Sequence, residues 1–126
     1  MTATEFIRIG NLFLTQLEAL QEVLLKQPDE AIFHRIRDLQ EQFLQNVRLF
    51  SKSLTNPLAD PEIFLIRKQS ELIQQHLMNL QERIDLHLGA RITPRSALDL
   101  FDHQFRFKKV VIKHLEDLEN LTRQSG

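Results

Sequence analysis

The sequence predicts an all-α protein, an antiparallel up-down-up-down four-helix bundle in a single domain over residues 1–126. Apolar residues recur at steps of three and four along four long segments, which is the period of an amphipathic helix. The breaks between the segments are short, and all four Pro residues of the chain lie in them or directly after them. Only three Gly residues are present, too few for a turn-rich β fold. Helices of similar length joined by short connections run antiparallel.

The first two helices are predicted over residues 3–26 and 29–54. Thr2 and Glu5 form the T-x-x-E pattern of a capping box, which satisfies free backbone N–H groups at a helix start. Pro28 ends the first helix because the residue before a proline disfavours α backbone. The second helix has one narrow apolar stripe, formed by Ile32, Ile36, Leu39, Phe43, Val47, Phe50 and Leu54.

The third and fourth helices are predicted over residues 61–88 and 94–121, followed by a frayed tail at 122–126. Asp60 and Thr93 each stand before a proline, the combination of a capping side chain and a first helical residue without an N–H group. Gly89 is predicted to end the third helix in the left-handed conformation. The core stripe of that helix is predicted as Ile63, Ile66, Ser70, Ile73, Leu77, Leu80, Ile84 and Leu88.

Two other arrangements fit the same helices. One is a helical hairpin or three-helix arrangement completed by a second copy of the chain. The other joins the first two helices into one kinked rod, because the break at residues 27–29 is tight.

Composition excludes several classes of function. Sixteen basic and seventeen acidic residues give a net charge of −1, whereas a dedicated binder of nucleic acid or anionic membranes needs a basic excess. The absence of Cys excludes disulfides, Cys-ligated zinc and thiol catalysis. No apolar run approaches the ~20 residues that span a bilayer, and no catalytic or phosphate-binding motif occurs. We therefore expect a cytoplasmic, non-enzymatic protein without a cofactor, a nucleic-acid partner or a membrane partner.

Helices 1 and 4 carry more apolar surface than one core requires. The apolar arc of helix 1 covers about 220°, against the ~100° of an ordinary surface helix. Helix 4 is predicted to face the core with Leu98, Phe101, Phe105, Ile112 and Leu115. Since the first and last helices of this topology are neighbours, the excess faces are predicted to merge into one association surface. Deeper burial of helix 1 and a homodimer interface are the alternatives. The residues predicted to contact the partner are Ile7, Leu14, Leu25, Leu100, Phe107 and Val111.

Two histidines suggest a different site. His76 on helix 3 and His103 on helix 4 are predicted to lie at similar heights across the antiparallel pair, where a metal or small ligand could bind. His34 is instead predicted on the surface, beside acids one turn away. Helix 4 also has a basic stretch, with six basic and two acidic residues between Arg91 and Lys113. This stretch indicates a solvated face or a docking site for an acidic partner.

In size, acidity and helical content the chain resembles the small export chaperones of flagellar and type III secretion systems. The resemblance is architectural, and it implies a chaperone that binds another polypeptide. The predicted function is therefore a protein-interaction module, as adaptor, regulator or dedicated chaperone, that binds another polypeptide, such as an amphipathic helix, through helices 1 and 4. A metal- or ligand-binding bundle using His76 and His103, and a structural homo-oligomer, are the alternatives.

Overall fold

The computed structural model describes residues 1–54 and 61–125, which form four α-helices and no strand. The helices are α1 (Ala3–Lys26), α2 (Glu30–Ser53), α3 (Pro61–Leu88) and α4 (Pro94–Ser125). In the described part of the chain each helix packs against two neighbours, and α1 closes the ring against both α2 and α4. The predicted all-α four-helix bundle is confirmed.

Pairs of contacts show that neighbouring helices are antiparallel. Between α1 and α4, Gly10 lies against Leu115, whereas Gln21 bonds Gln104. Between α3 and α4, Gln69 bonds Asp117 near one end and Arg83 bonds Asp99 near the other. Residue numbers on one helix therefore fall as those on its neighbour rise, as an up-down-up-down bundle requires.

Side-chain caps begin the helices at Thr2 and Thr93, as the sequence predicts, and at Asp29, which the sequence placed inside the second helix. Thr2 Oγ1 accepts from the Glu5 N–H at 3.1 Å, and Asp29 Oδ1 accepts from the Ile32 N–H at 2.9 Å. Thr93 and Ser96 cap α4 reciprocally, since each side-chain oxygen accepts from the other's backbone N–H. The predicted cap at Asp60 lies outside the described residues.

Two predictions about helix ends are wrong. Gly89 does not adopt the left-handed backbone. Its N–H still bonds the Asp85 carbonyl at 3.0 Å, and Ala90 bonds His87 at 3.2 Å, so α3 ends by tightening its last turn. The predicted tail is helical through Ser125. An ion pair between Arg123 and Glu119 at 2.9 Å spans one turn of this last part.

The core confirms the stripes of α2 and α3 and corrects that of α4. Phe6 and Phe13 of α1 stack on Phe50 and Phe43 of α2, with ring centroids 4.4 and 4.1 Å apart. On α4 only Leu115 of the predicted stripe is buried, and the other buried residues form the arc beside that stripe, roughly a third of a turn away. The side chains that α4 buries are Ser96, Ala97, Leu100, Gln104, Phe107, Val111, His114, Leu115 and Leu118.

Candidate functional site

An apolar surface follows the seam between α1 and α4. Four residues of the stripe predicted for the α4 core face outward instead: Leu98 is 60% exposed, Phe105 44% and Ile112 42%, and Phe101 is half-buried. On α1 the neighbouring outward residues are Leu25, which is exposed, and Ile7 and Leu14, which are half-buried. We call these seven residues the α1–α4 surface.

The antiparallel register brings the two sides of this surface together. Gly10 faces Leu115 and Gln21 faces Gln104, so Leu14 lies at the height of Ile112 and Leu25 at the height of Phe101. Lys108 Nζ crosses the seam between these two pairs and lies 3.7 Å from Glu18 Oε1. The surface is therefore two apolar areas separated by one ion pair.

Positive charge borders the surface on its α4 side. Lys109 Nζ lies 4.9 Å from the centroid of the Phe105 ring, within the range of a cation–π contact. Lys109, Lys113 and Arg95 are exposed. Within residues 1–54 and 61–125 none of the three forms an ion pair. These cations stay available to an acidic group of a partner.

The structure separates the predicted contact residues into two groups. Ile7, Leu14 and Leu25 belong to the α1–α4 surface. Leu100, Phe107 and Val111 are at most 3% exposed and lie in the core, so these three cannot contact a partner in this fold. The exposed apolar residues of α4 are instead Leu98, Phe105 and Ile112, which the sequence assigned to the core.

A cavity of about 590 Å³ opens between α3 and α4, on the opposite side of α4 from the seam. The side chains of Leu80, Leu86, Phe107 and Val110 provide its apolar lining. This volume lies within the range of about 300–1,000 Å³ that small-ligand pockets occupy.

Both predicted histidines line this cavity. His76 and His103 face it from α3 and α4, together with Arg83, Arg106 and Glu82. The described chain contains no group of three or more His, Cys, Asp or Glu side chains that could hold a metal ion. Two guanidinium groups beside the histidines also oppose the binding of a cation.

Asp99 fixes one of these histidines. His103 Nδ1–H donates to the Asp99 backbone carbonyl at 2.8 Å, which leaves the lone pair of a neutral ring on Nε2. The Asp99 carboxylate accepts from His87 Nε2 at 2.8 Å and from Arg83 Nη1 at 3.1 Å. Burial raises the pKa of Asp99, but these hydrogen bonds outweigh it and hold the pKa below its usual value.

A chain of four buried glutamines, one from each helix, crosses the bundle. Gln21 Nε2 donates to Gln104 Oε1 at 3.1 Å, Gln104 to Gln40 at 2.7 Å, and Gln40 to Gln81 at 2.7 Å. At one end of the chain Lys108 Nζ donates to Gln21 Oε1. At the far end Gln81 Nε2 donates to the Arg37 carbonyl and the Glu41 carboxylate. Each amide thus accepts from one neighbour and donates to the next.

A second buried polar group lies nearer the ends of α3 and α4. His114 is 2% exposed, and its Nδ1–H donates to Gln69 Oε1 at 2.9 Å. The Ser70 hydroxyl lies 3.4 Å from His114 Nε2, where it can donate to the lone pair of a neutral ring. Burial lowers the pKa of His114 to about 4, although the nearby Asp117 carboxylate opposes the shift.

The core predicted from the sequence included Ser70 but none of the four glutamines and not His114. A signal was present: Gln21, Gln40, Gln81 and Gln104 each follow the core spacing of their helix. Among the described residues no buried side-chain nitrogen or oxygen lacks a hydrogen-bond partner. The buried polar side chains are therefore fully hydrogen-bonded within the core.

No protein-family model, curated protein or solved structure matches the chain. The arrangement of its side chains thus carries the functional argument. None of the four helices, over the residues described, combines the length and apolar character needed to cross a bilayer. Two candidate features for function are the α1–α4 surface and the α3–α4 cavity.

Proposed function

We propose that the protein is a non-enzymatic interaction module of the cytoplasm, an adaptor, regulator or export-type chaperone that binds an amphipathic helix of another protein. The exposed apolar residues of α4 support the proposal most directly. Leu98, Phe105 and Ile112 are spaced by seven residues, so they follow one line along the helix. Helix-in-groove recognition uses anchors with this spacing.

The charges next to the line indicate the chemistry of the partner. Arg95, Lys109 and Lys113 flank it on the outer side of α4, and the neighbouring edge of α1 contributes Glu18 and Glu22. A helix lying along the seam would place one flank over the outer side of α4, where Arg95, Arg106, Lys109 and Lys113 outnumber the acidic Asp102 and Glu116. We therefore expect a partner helix with an apolar stripe and acidic residues on the α4 side.

A pair of designed peptides tests this function. Both are fluorescently labelled leucine-faced helices, one flanked by Glu and the other by Lys, and their binding is followed by fluorescence anisotropy. We expect the Glu-flanked peptide to bind more tightly, with an affinity that falls as salt is added. Equal binding of both peptides, or binding of neither, contradicts the proposal.

Leu98→Glu places a charge on the line and should weaken peptide binding by about tenfold or more. The matched control is Leu49→Glu on α2, because Leu49 is 56% exposed and Leu98 60%. Equal losses in both variants would show that the α1–α4 surface is not used. Helicity by circular dichroism should stay unchanged in both, because neither leucine is buried.

The same variants separate partner binding from self-association. Sedimentation equilibrium of the wild-type chain should give a mass that does not change with concentration. A dimer that Leu98→Glu dissociates would assign the α1–α4 surface to a second copy of the chain instead.

A further inference from the structure

We propose that the α3–α4 cavity binds a small amphiphilic anion, a molecule with one oxyanion head and a short apolar tail. The size and lining of the cavity support a small molecule, because four apolar side chains line it and the partly exposed side chains of Arg83 and Arg106 form its rim. This site lies apart from the α1–α4 surface and does not depend on the function proposed for that surface.

The charge at the rim selects an anion. Among the lining side chains the cations Arg83 and Arg106 outnumber the one carboxylate, that of Glu82. Asp99 and Asp102, which pair with the two arginines, are not part of the lining. A guanidinium binds carboxylate or phosphate oxygens through paired N–H groups. A carboxylate head group and a phosphate head group can therefore both bind the two arginine side chains.

Both arginines keep free N–H groups for this purpose. Arg83 contacts Asp99 through Nη1 alone, and Arg106 contacts Asp102 through one terminal nitrogen at 3.2 Å. The ion pair with Asp99 restrains Arg83 at the rim, which lowers the entropy lost when a ligand is bound.

His103 adds a ring nitrogen to the lining of the cavity. Its Nδ1–H is bound to the Asp99 carbonyl, whereas Nε2 has no partner among the described residues. The side chains of Leu86 and Val110 then cover the apolar tail from the two helices.

Octanoate is the first probe, and octanol and octylamine are matched ligands with the same tail and a neutral or cationic head. Binding is measured by calorimetry and by methyl NMR. Octanoate should shift the methyl signals of Leu86 and Val110 and leave those of Leu49 unchanged. Octanol should bind about tenfold more weakly, and octylamine more weakly still. Octyl phosphate, compared with octanoate, identifies which oxyanion the rim prefers.

Arg106→Gln should weaken octanoate binding by about tenfold and leave octanol unaffected. Arg95→Gln, another exposed arginine of α4 but outside the cavity, is the matched control and should change neither. Leu86→Asn should weaken both ligands, because it removes apolar contact with the tail. Leu86 is 76% exposed, so this variant should fold normally.

Three outcomes overturn the proposal. The first is that octanol or octylamine binds as tightly as octanoate. The second is that Arg95→Gln weakens octanoate binding as much as Arg106→Gln does. The third is that no ligand shifts the methyl signals of Leu86 and Val110. Zinc or nickel that shifts the His76 and His103 ring signals, in a protein that does not bind octanoate, would assign the cavity to a metal ion. Because Leu98→Glu leaves the cavity intact, failure here is distinguishable from failure of the α1–α4 surface.

Discussion

Replacing Gln104 by Leu should destabilise the bundle although it makes the core more apolar. Gln104 is completely buried, accepts from Gln21 and donates to Gln40. The substitution leaves the Gln21 amide N–H and the Gln40 amide oxygen buried without partners. Each orphaned group costs about 1–3 kcal/mol. Burying a leucine side chain returns about 1.5–3 kcal/mol, so the expected net loss is about 2 kcal/mol.

Urea unfolding followed by circular dichroism measures this loss. A decrease of about 2 kcal/mol lowers the urea midpoint by about 1 M, given slopes of about 1–3 kcal/mol per molar urea. Gln45→Leu is the control: Gln45 lies exposed on α2, and its replacement should change the free energy of unfolding by less than about 0.5 kcal/mol.

Replacing all four glutamines together should have the opposite sign. With Gln21, Gln40, Gln81 and Gln104 changed to Leu, no member of the chain remains to be orphaned. A buried polar group replaced as a whole by apolar residues is often neutral or stabilising. We expect the fourfold variant to be at least as stable as the wild type. A Gln104→Leu variant as stable as the wild type, or a fourfold variant less stable than Gln104→Leu, refutes the reasoning.

Two further predictions concern pH and packing. The folded pKa of His114 is about 4 and its ordinary value is 6.5, so between these pH values the unfolded chain binds a proton that the folded chain does not. The contribution of the neutral His114 ring to the free energy of unfolding is fully present above pH 6.5 and falls by about 3 kcal/mol as the pH approaches 4. In urea titrations the free energy of unfolding of His114→Gln should therefore depend less on pH than that of the wild type. Gly10→Ala would place a Cβ 2.7 Å from Leu115 Cδ2. The overpacking cost of about 1–3 kcal/mol should exceed the helix-propensity gain of about 1 kcal/mol, and Leu115→Val in the same chain should relieve it.

Each of these two predictions has a clear contrary result. Equal pH dependence of stability in His114→Gln and the wild type would mean that the buried ring is not kept neutral by the fold. A Gly10→Ala variant more stable than the wild type would mean that Leu115 moves aside without loss. Additive effects of Gly10→Ala and Leu115→Val would show that the two sites are not coupled.

The sequence predicts the bundle because the apolar period, the capping residues and the prolines all indicate the same helix positions. Thr2 and Thr93 cap their helices as expected, and the stripe of α3 is correct even at Ser70. Each of these signals is local to one helix. A local pattern is sufficient when only one arc of a helix is apolar, as on α2.

The face of α4 could not be chosen in the same way, because two neighbouring arcs of that helix are apolar. One contains Leu98, Phe105 and Ile112, and the other contains Leu100 and Phe107 together with the polar Gln104 and His114. When α4 is considered alone, the first arc is the more apolar of the two and is therefore predicted to face the core. The structure uses the second, because partners on the other three helices satisfy Gln104 and His114. That information is distributed over the whole fold.

The buried glutamine chain and the exposed apolar surface are therefore two consequences of one rotation of α4. Turning α4 by roughly a third of a turn would bury Phe105 and Ile112, but it would move Gln104 away from Gln21 and Gln40. The lost hydrogen bonds oppose that rotation, much as a buried polar residue fixes the register of a coiled coil. The hydrogen bonds of Gln104, on the neighbouring arc, consequently keep Phe105 and Ile112 on the surface. A core made entirely of leucine would remove this restraint, so a stability gain in the fourfold variant should come with weaker binding of an acidic helix at the α1–α4 surface.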